Sequence, residues 1–238
     1  MSRRAPPAGD APGDDAPANA FGGQPPDPLG AVLAHPTVAV VAAALARRPG
    51  ARALVASGDP PPRRAAVALV LRVRDAGPDV GPELLLVKRA EYPGDPWSGH
   101  VALPGGRREP GDASLWHTAA RETWEETGLD LLARGRLLGA LDELSPRTPV
   151  LPPIVVRPYV AAAVADGALA LSGELAAAFW VPLAHFAAPG VSAERVVRVR
   201  GAERVVPSYA YAGHTIWGMT ERILRQFFVL VEPPGAPG

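Results

Sequence analysis

The chain has 238 residues, enough for one domain with a buried core, and its 24 Lys plus Arg are balanced by 24 Asp plus Glu. Zero formal charge argues against a nucleic-acid partner and against a polybasic membrane surface. With no Cys, disulfides, zinc–thiolate sites and thiol nucleophiles are excluded.

Residues 1–29 are rich in Pro, Ala, Gly and Asp and poor in large apolar side chains, so they are expected to be disordered. Arg3 and Arg4 are followed by no apolar run, no later stretch reads as a membrane span, and a cytoplasmic protein is expected. A single domain is predicted over 30–231, with a loose tail over 232–238. Val38, Val41 and Leu45 predict a helix from Thr37 to Arg48, stopped by Pro49-Gly50. Pro60-Pro61-Pro62 is a break, Arg64 to Val73 reads as a strand, a turn follows Asp75, and Glu83 to Arg89 returns as a second strand. Residues 90–100 read as a loop, and Val101 to Leu103 as extended chain leading into a Gly105-Gly106 turn.

Asp112 or Ser114 is positioned to cap a helix running to about Thr127, with Gly128 as a left-handed C-cap. Trp116, Ala120 and Trp124 form an apolar stripe at i, i+4, i+8, with Glu122, Glu125 and Glu126 on the other side. Strands are expected at about 134–142 and 154–165, joined by a Pro-rich loop over 143–153. Glu174 to Phe186 reads as a short helix interrupted around Trp180-Val181-Pro182. Arg195–Val199 and Arg204–Val206 read as a hairpin, and Ile216 to Leu230 as an amphipathic helix carrying Ile216, Met219, Ile223, Phe227 and Leu230 on one face. The helices 37–48 and 216–230 are candidate interfaces of a homodimer. Strands and helices without a repeating βαβ rhythm predict an α/β (α+β) fold with a mixed sheet.

Three carboxylates within five residues, Glu122, Glu125 and Glu126, destabilise a helix unless a cation compensates them. Carboxylate oxygens suit Mg²⁺ or Mn²⁺, which in turn suit phosphate substrates. A free carbonyl at Gly105 is a candidate further ligand, Gly106 permits close backbone approach, and Arg121 can orient Glu125 four residues on.

Gly106 with Arg121-Glu122, Glu125-Glu126, Gly128 and Leu129 resembles the Nudix box, G-x5-E-x7-R-E-U-x-E-E-x-G-U, where U is apolar. The sequence departs from it in three places: Asp112 replaces the first Glu, eight residues instead of seven separate Asp112 from Arg121, and Thr123 replaces an apolar residue. The resemblance implies a Nudix-type α/β/α sandwich and a Mg²⁺-dependent hydrolase acting on a small nucleoside diphosphate derivative. It implies Glu122, Glu125 and Glu126 as metal ligands and Arg121 with Glu122 or Glu125 as catalytic residues. Asp112, Gly106 and Gly128 are positioning residues in this reading. The general base stays open among Glu122, Glu125, Glu143 and Glu174.

Arg107 through Asp112 resembles the L-P-G-G-x-x-D-P-x-D arrangement of Nudix enzymes that cleave coenzyme A. Gly99 to Gly106 resembles half of a second signature of that branch, with Leu103 for Phe and Asp95 for an expected Arg. Coenzyme A or acyl-coenzyme A is therefore the leading substrate. ADP-ribose, NADH or another nucleotide, and a catalytically silent Nudix-fold binding module, are the alternatives. Arg107, Arg89 and Trp97 are candidate substrate contacts, whereas Trp180, Trp217 and His100 read as structural.

Overall fold

The computed structural model describes residues 27–54, 61–75, 80–94, 97–146, 153–199 and 201–231. Residues 1–26 of the expected 1–29 tail, the 232–238 tail, most of the turn after Asp75 and residues 147–152 of the Pro-rich loop lie outside these.

The described residues begin with a short helix. Asp27 accepts the Gly30 N–H at 2.8 Å, and with Pro28 in the first turn it starts α1 (Pro28–Ala34), so the expected boundary at residue 30 falls inside a helix. Pro36 starts α2 (Pro36–Ala46), which buries Val38, Val41 and Leu45 at helical spacing.

The centre of the molecule is a seven-stranded mixed sheet. Its strands are β1 (Arg63–Arg74), β2 (Gly81–Arg89), β3 (Val101–Ala102), β4 (Gly105–Arg107), β5 (Gly135–Ala140), β6 (Ile154–Ala163) and β7 (Leu175–Pro182). The path runs β3-β2-β1-β6-β5, while β4 pairs with β1 and β7 with β2. Only β1 and β6 run parallel among these ladders. Residues on alternate faces of β1 serve two different layers. Leu69 and Leu71 pack with Val41 and Leu45 of α2 and with Ile223, Leu224 and Phe227 of α5 (Met219–Val231). Ala66, Ala68 and Val70 pack with Ala119 and Ala120 of α3 (Leu115–Thr127). The result is the α/β/α sandwich with a mixed sheet. A short helix, α4 (Leu131–Arg134), capped by the Asp130 carboxylate, leads into β5.

The expected helix over 174–186 is a strand instead. Ala-rich local sequence favours a helix, but Phe179, Trp180 and Val181 suit a pleated surface and pair with Leu86, Leu85 and Leu84 across β2. The helical part is a single 3-10 segment, Leu183–Ala187. The hairpin near 195–206 is longer than expected and three-stranded: β8 (Ser192–Val199), β9 (Ala202–Tyr211) and β10 (His214–Trp217). Ile216 therefore belongs to β10 and not to the last helix. Among the described residues no single helix is long and apolar enough to cross a membrane.

Candidate active site

Helix α3 is bounded as its sequence dictates. Ser114 Oγ accepts the His117 N–H at 3.3 Å, and Gly128 sits at φ +72° with its N–H donating to the Trp124 carbonyl at 2.7 Å. The buried face is not the Trp116–Ala120–Trp124 stripe, because Trp124 is 58% exposed. Thr118, Ala119, Ala120, Thr123, Glu126 and Thr127 are buried instead. Small side chains let the helix approach β1 closely. Thr123 Oγ1 donates to the Ala119 carbonyl at 2.7 Å and Thr127 Oγ1 to the Thr123 carbonyl at 2.6 Å, so both hydroxyls are satisfied without leaving the core. That accounts for Thr at a position where the family pattern is apolar.

The rotated face carries Glu126 into the sheet. Glu126 is buried, and its Oε2 accepts the Gly105 N–H at 3.0 Å. Gly105 and Gly106 form a strand rather than a turn, paired with Val67 and Ala66. Gly105 has φ +147°, and a Cβ there would lie 2.3 Å from the Ala66 carbonyl oxygen. A Cβ on Gly106 would lie 2.4 Å from the Glu122 carboxyl carbon. Both glycines are thus seats for backbone or carboxylate groups that a side chain would displace. Burial pushes the Glu126 carboxyl up to about 7, against the pull of the Gly105 N–H; the Glu122 and Glu174 charges raise it further and Arg89 lowers it. Glu122 is half-buried and also raised, chiefly by burial, with Arg121 opposing and Glu125 and Glu174 adding.

Arg121 ties the segment together. Its Nε and Nη2 donate to Asp112 Oδ1 and Oδ2 at 2.9 and 3.1 Å, its Nη1 to Glu125 at 3.0 Å, and its Nη2 to Glu122 at 3.1 Å and to the Arg107 carbonyl at 3.0 Å. Asp112 is buried and also accepts the Thr118 hydroxyl and the Glu109 N–H, each at 2.9 Å. These bonds, that from Arg121 first, hold its carboxyl well below the usual carboxylate range. The eight-residue gap puts Asp112 outside the helix, where it folds the 107–112 loop back onto Arg121.

The donor set of Glu122, Glu125 and Glu126 is all oxygen, as a hard divalent cation requires, and burial raises two of the three carboxylates. Arg121 engages Glu122 and Glu125 while the Gly105 N–H holds Glu126, and among the described residues no three acidic or imidazole groups converge on one point. The residues fit such a cation in type, and Glu122 Oε2 and Glu125 Oε1 lie outside the Arg121 bonds. Gly105 presents its N–H, not its carbonyl, to Glu126.

Glu143 is not available as a base. It is buried, pairs with Arg64 and with Arg157 at 2.8 Å, and accepts the Leu54 N–H at 2.8 Å. Its role is to fasten the Pro-rich loop to β1 and β6. Glu174 stands just before β7, exposed, with its charge felt by both Glu122 and Glu126. Arg89, at the end of β2, acts on Glu126. Arg107 closes β4 beside Gly106. Trp97 lies in the turn between β2 and β3, where its carbonyl receives the His100 N–H, and the His100 ring packs on Trp217 at a tilt of 56° with centroids 4.6 Å apart. Sequence reasoning missed Arg63 and Arg64, which the β1–β4 pairing brings beside Arg107 and Arg108; the adjacent Arg pairs were the available signal.

A NUDIX domain model matches residues 61–198, more than half of the chain, and the chain belongs to the Nudix family. It is 41% identical over 96 residues to an uncharacterized protein of Schizosaccharomyces pombe, covering 35% of this chain and 29% of that one. It is 27% identical over 158 residues to mitochondrial coenzyme A diphosphatase NUDT8 of Homo sapiens, covering 65% and 64%. The chain thus spans under a third of the first relative's length and just under two thirds of the second's. Among solved structures, a MutT/nudix family protein from Enterococcus faecalis superposes with TM-score 0.50 at 19% identity, over 71% of this chain and 62% of that one, a likeness of fold.

Proposed function

We propose that the protein is a pyrophosphohydrolase, dependent on Mg²⁺ or Mn²⁺, that cleaves the diphosphate of a nucleoside diphosphate derivative. The substrate we favour is coenzyme A or acyl-coenzyme A, giving 3′,5′-ADP and a phosphopantetheine product. The observation that carries this reading is the seating of Glu126 on the Gly105 N–H and of Glu122 against Gly106, with Arg121 bonded to both Glu122 and Glu125. The coenzyme A preference is supported by the Asp112 spacing and by the likeness to a coenzyme A diphosphatase.

Glu122, Glu125 and Glu126 would hold the cation. When bound, it supplies charge neutralisation of the diphosphate and an acidified water. The protein's own groups do the rest. Arg121 and Asp112 fix the 107–112 loop against α3 and so place Gly105, Gly106 and the three carboxylates in one frame. Water attacks phosphorus in line, a P–O bond of the diphosphate breaks, and the departing phosphate takes the electron pair. The attacking water's proton passes to a carboxylate among Glu122, Glu125 and Glu174; Arg121 engages the first two and not the third. Arg89 adds positive charge at the Glu126 end.

The test is a panel of coenzyme A, acyl-coenzyme A, ADP-ribose, NADH, dinucleoside polyphosphates and oxidised dNTPs with Mg²⁺, products identified by mass. Release of 3′,5′-ADP with 4′-phosphopantetheine supports the reading. Glu126→Gln is expected to lower turnover by about two orders of magnitude or more in a folded protein. Full activity in that variant would overturn the metal assignment, and ligand binding without any product would leave a silent binding module.

A further inference from the structure

Four arginines meet at one corner of the central sheet. Arg63, Arg64, Arg107 and Arg108 line a cleft of about 430 Å³, several times the size of a phosphate group. The β1–β4 ladder creates it. Arg107 lies opposite Ala65, which makes Arg63 and Arg107 diagonal neighbours, and the Arg108 N–H donates to the Arg64 carbonyl at 2.9 Å. Like charges across a ladder are destabilising unless something neutralises them. Arg64 has Glu143 as its partner. Among the described residues no carboxylate lies within ion-pair distance of Arg63, Arg107 or Arg108. In a chain whose formal charge is zero, that is a local concentration of unmatched positive charge.

The cleft is tied to the carboxylate site by the backbone. Arg107 directly follows Gly106, which Glu122 abuts, and the Arg107 carbonyl accepts from Arg121. A ligand whose diphosphate lies at Glu122 and Glu126 would reach the cleft along β4, where Arg107 follows Gly106. Guanidinium groups bind phosphate oxygens with paired, charge-assisted hydrogen bonds, and each added contact favours the dianionic phosphomonoester over a neutral hydroxyl.

We propose that the Arg63, Arg64, Arg107 and Arg108 cleft is a second phosphate subsite, so that the substrate is a nucleoside diphosphate derivative carrying an additional phosphomonoester outside the bond that is cleaved. This rests on the pyrophosphohydrolase reading and narrows its substrate class. It places the extra phosphate at a corner made by β1 and β4, separate from the cation-binding carboxylates.

Binding without turnover tests it. AMP, adenosine 3′,5′-bisphosphate and adenosine 2′,5′-bisphosphate are titrated calorimetrically into the full chain in EDTA and again in Mg²⁺. One of the bisphosphates is expected to bind at least about tenfold tighter than AMP. Arg63→Gln and Arg107→Gln should each shrink that ratio, and the double substitution should abolish it while AMP affinity holds. Thermal melts of the variants confirm folding, since both side chains are exposed. Equal affinity for all three nucleotides, or a preference that survives the double substitution, overturns the subsite. The two readings fail separately. No turnover of coenzyme A with the bisphosphate preference intact removes that substrate and keeps the subsite; turnover of coenzyme A with no preference keeps the enzyme and removes the subsite.

Discussion

The Glu122 carboxylate fills the place of a Gly106 side chain: a methyl group on the glycine would fall 2.4 Å from the carboxyl carbon of the glutamate. The atom it meets ends a flexible side chain, so Gly106→Ala is expected to unfold nothing. Its stability loss should stay under about 1 kcal/mol while turnover falls at least about tenfold, because the carboxylate is pushed out of place. Denaturant melts beside steady-state rates check the pair of outcomes. Gly105→Ala makes the contrast, since its Cβ would meet the Ala66 carbonyl and the Val67 Cα of β1; it should cost about 2–4 kcal/mol.

Arg121→Lys is not a conservative change here. A single ammonium cannot reproduce the fork that spans Asp112, Glu122, Glu125 and the Arg107 carbonyl. Leaving buried Asp112 with a weakened partner should cost about 2–4 kcal/mol in denaturant melts. A variant as stable as the parent would show that the network is ornamental to folding.

Two acids give opposite pH dependences. Asp112 is depressed below its ordinary 3.8, so its contribution to stability is present above that pH and is lost as the pH falls. Glu126 is raised from 4.5 to about 7, so the folded state holds the extra proton between those values and stability declines as the pH rises through them. The decline should amount to about 3 kcal/mol in EDTA. Glu126→Gln should flatten it, and Mg²⁺ should reduce it in the parent protein; melts from pH 4 to 8 measure both.

Glu143 and Glu174 separate structure from chemistry. Glu143→Gln removes the partner of Arg64 and Arg157 and should cost about 3–5 kcal/mol. Glu174→Gln, at an exposed position, should leave the melt unchanged and lower turnover about 10²-fold if it takes the water's proton. Unaltered turnover at Glu174 would leave Glu122 and Glu125 as the remaining bases.

Much of the fold is legible in local sequence where local signals and tertiary context agree. Ser114 and Gly128 bound α3 because cap chemistry is local, and β1 and β2 stand out because both of their faces are buried in apolar layers. The region 175–182 misleads because its alanines carry a helical preference that pairing with β2 overrides. Trp124 misleads in another way. The helix is set down on β1 by its alanines and threonines, so the largest apolar side chain faces solvent and Glu126 faces the sheet. At the site, the sequence spacing singles out the three carboxylates and Arg121, of which Arg121 bonds Glu122 and Glu125 while Glu126 sits on the Gly105 N–H. It could not separate Glu143 from Glu174, since what distinguishes them is contact with Arg64 and Arg157, distant in sequence.

The Arg121 guanidinium already occupies Glu122 and Glu125. Each bond takes one oxygen, so a divalent ion recruiting those carboxylates would share them with a charge that is covalently part of the protein. That charge would act as a tethered competitor, and Arg121→Gln is expected to bind Mg²⁺ more tightly per folded molecule, as calorimetric titration of both proteins would measure.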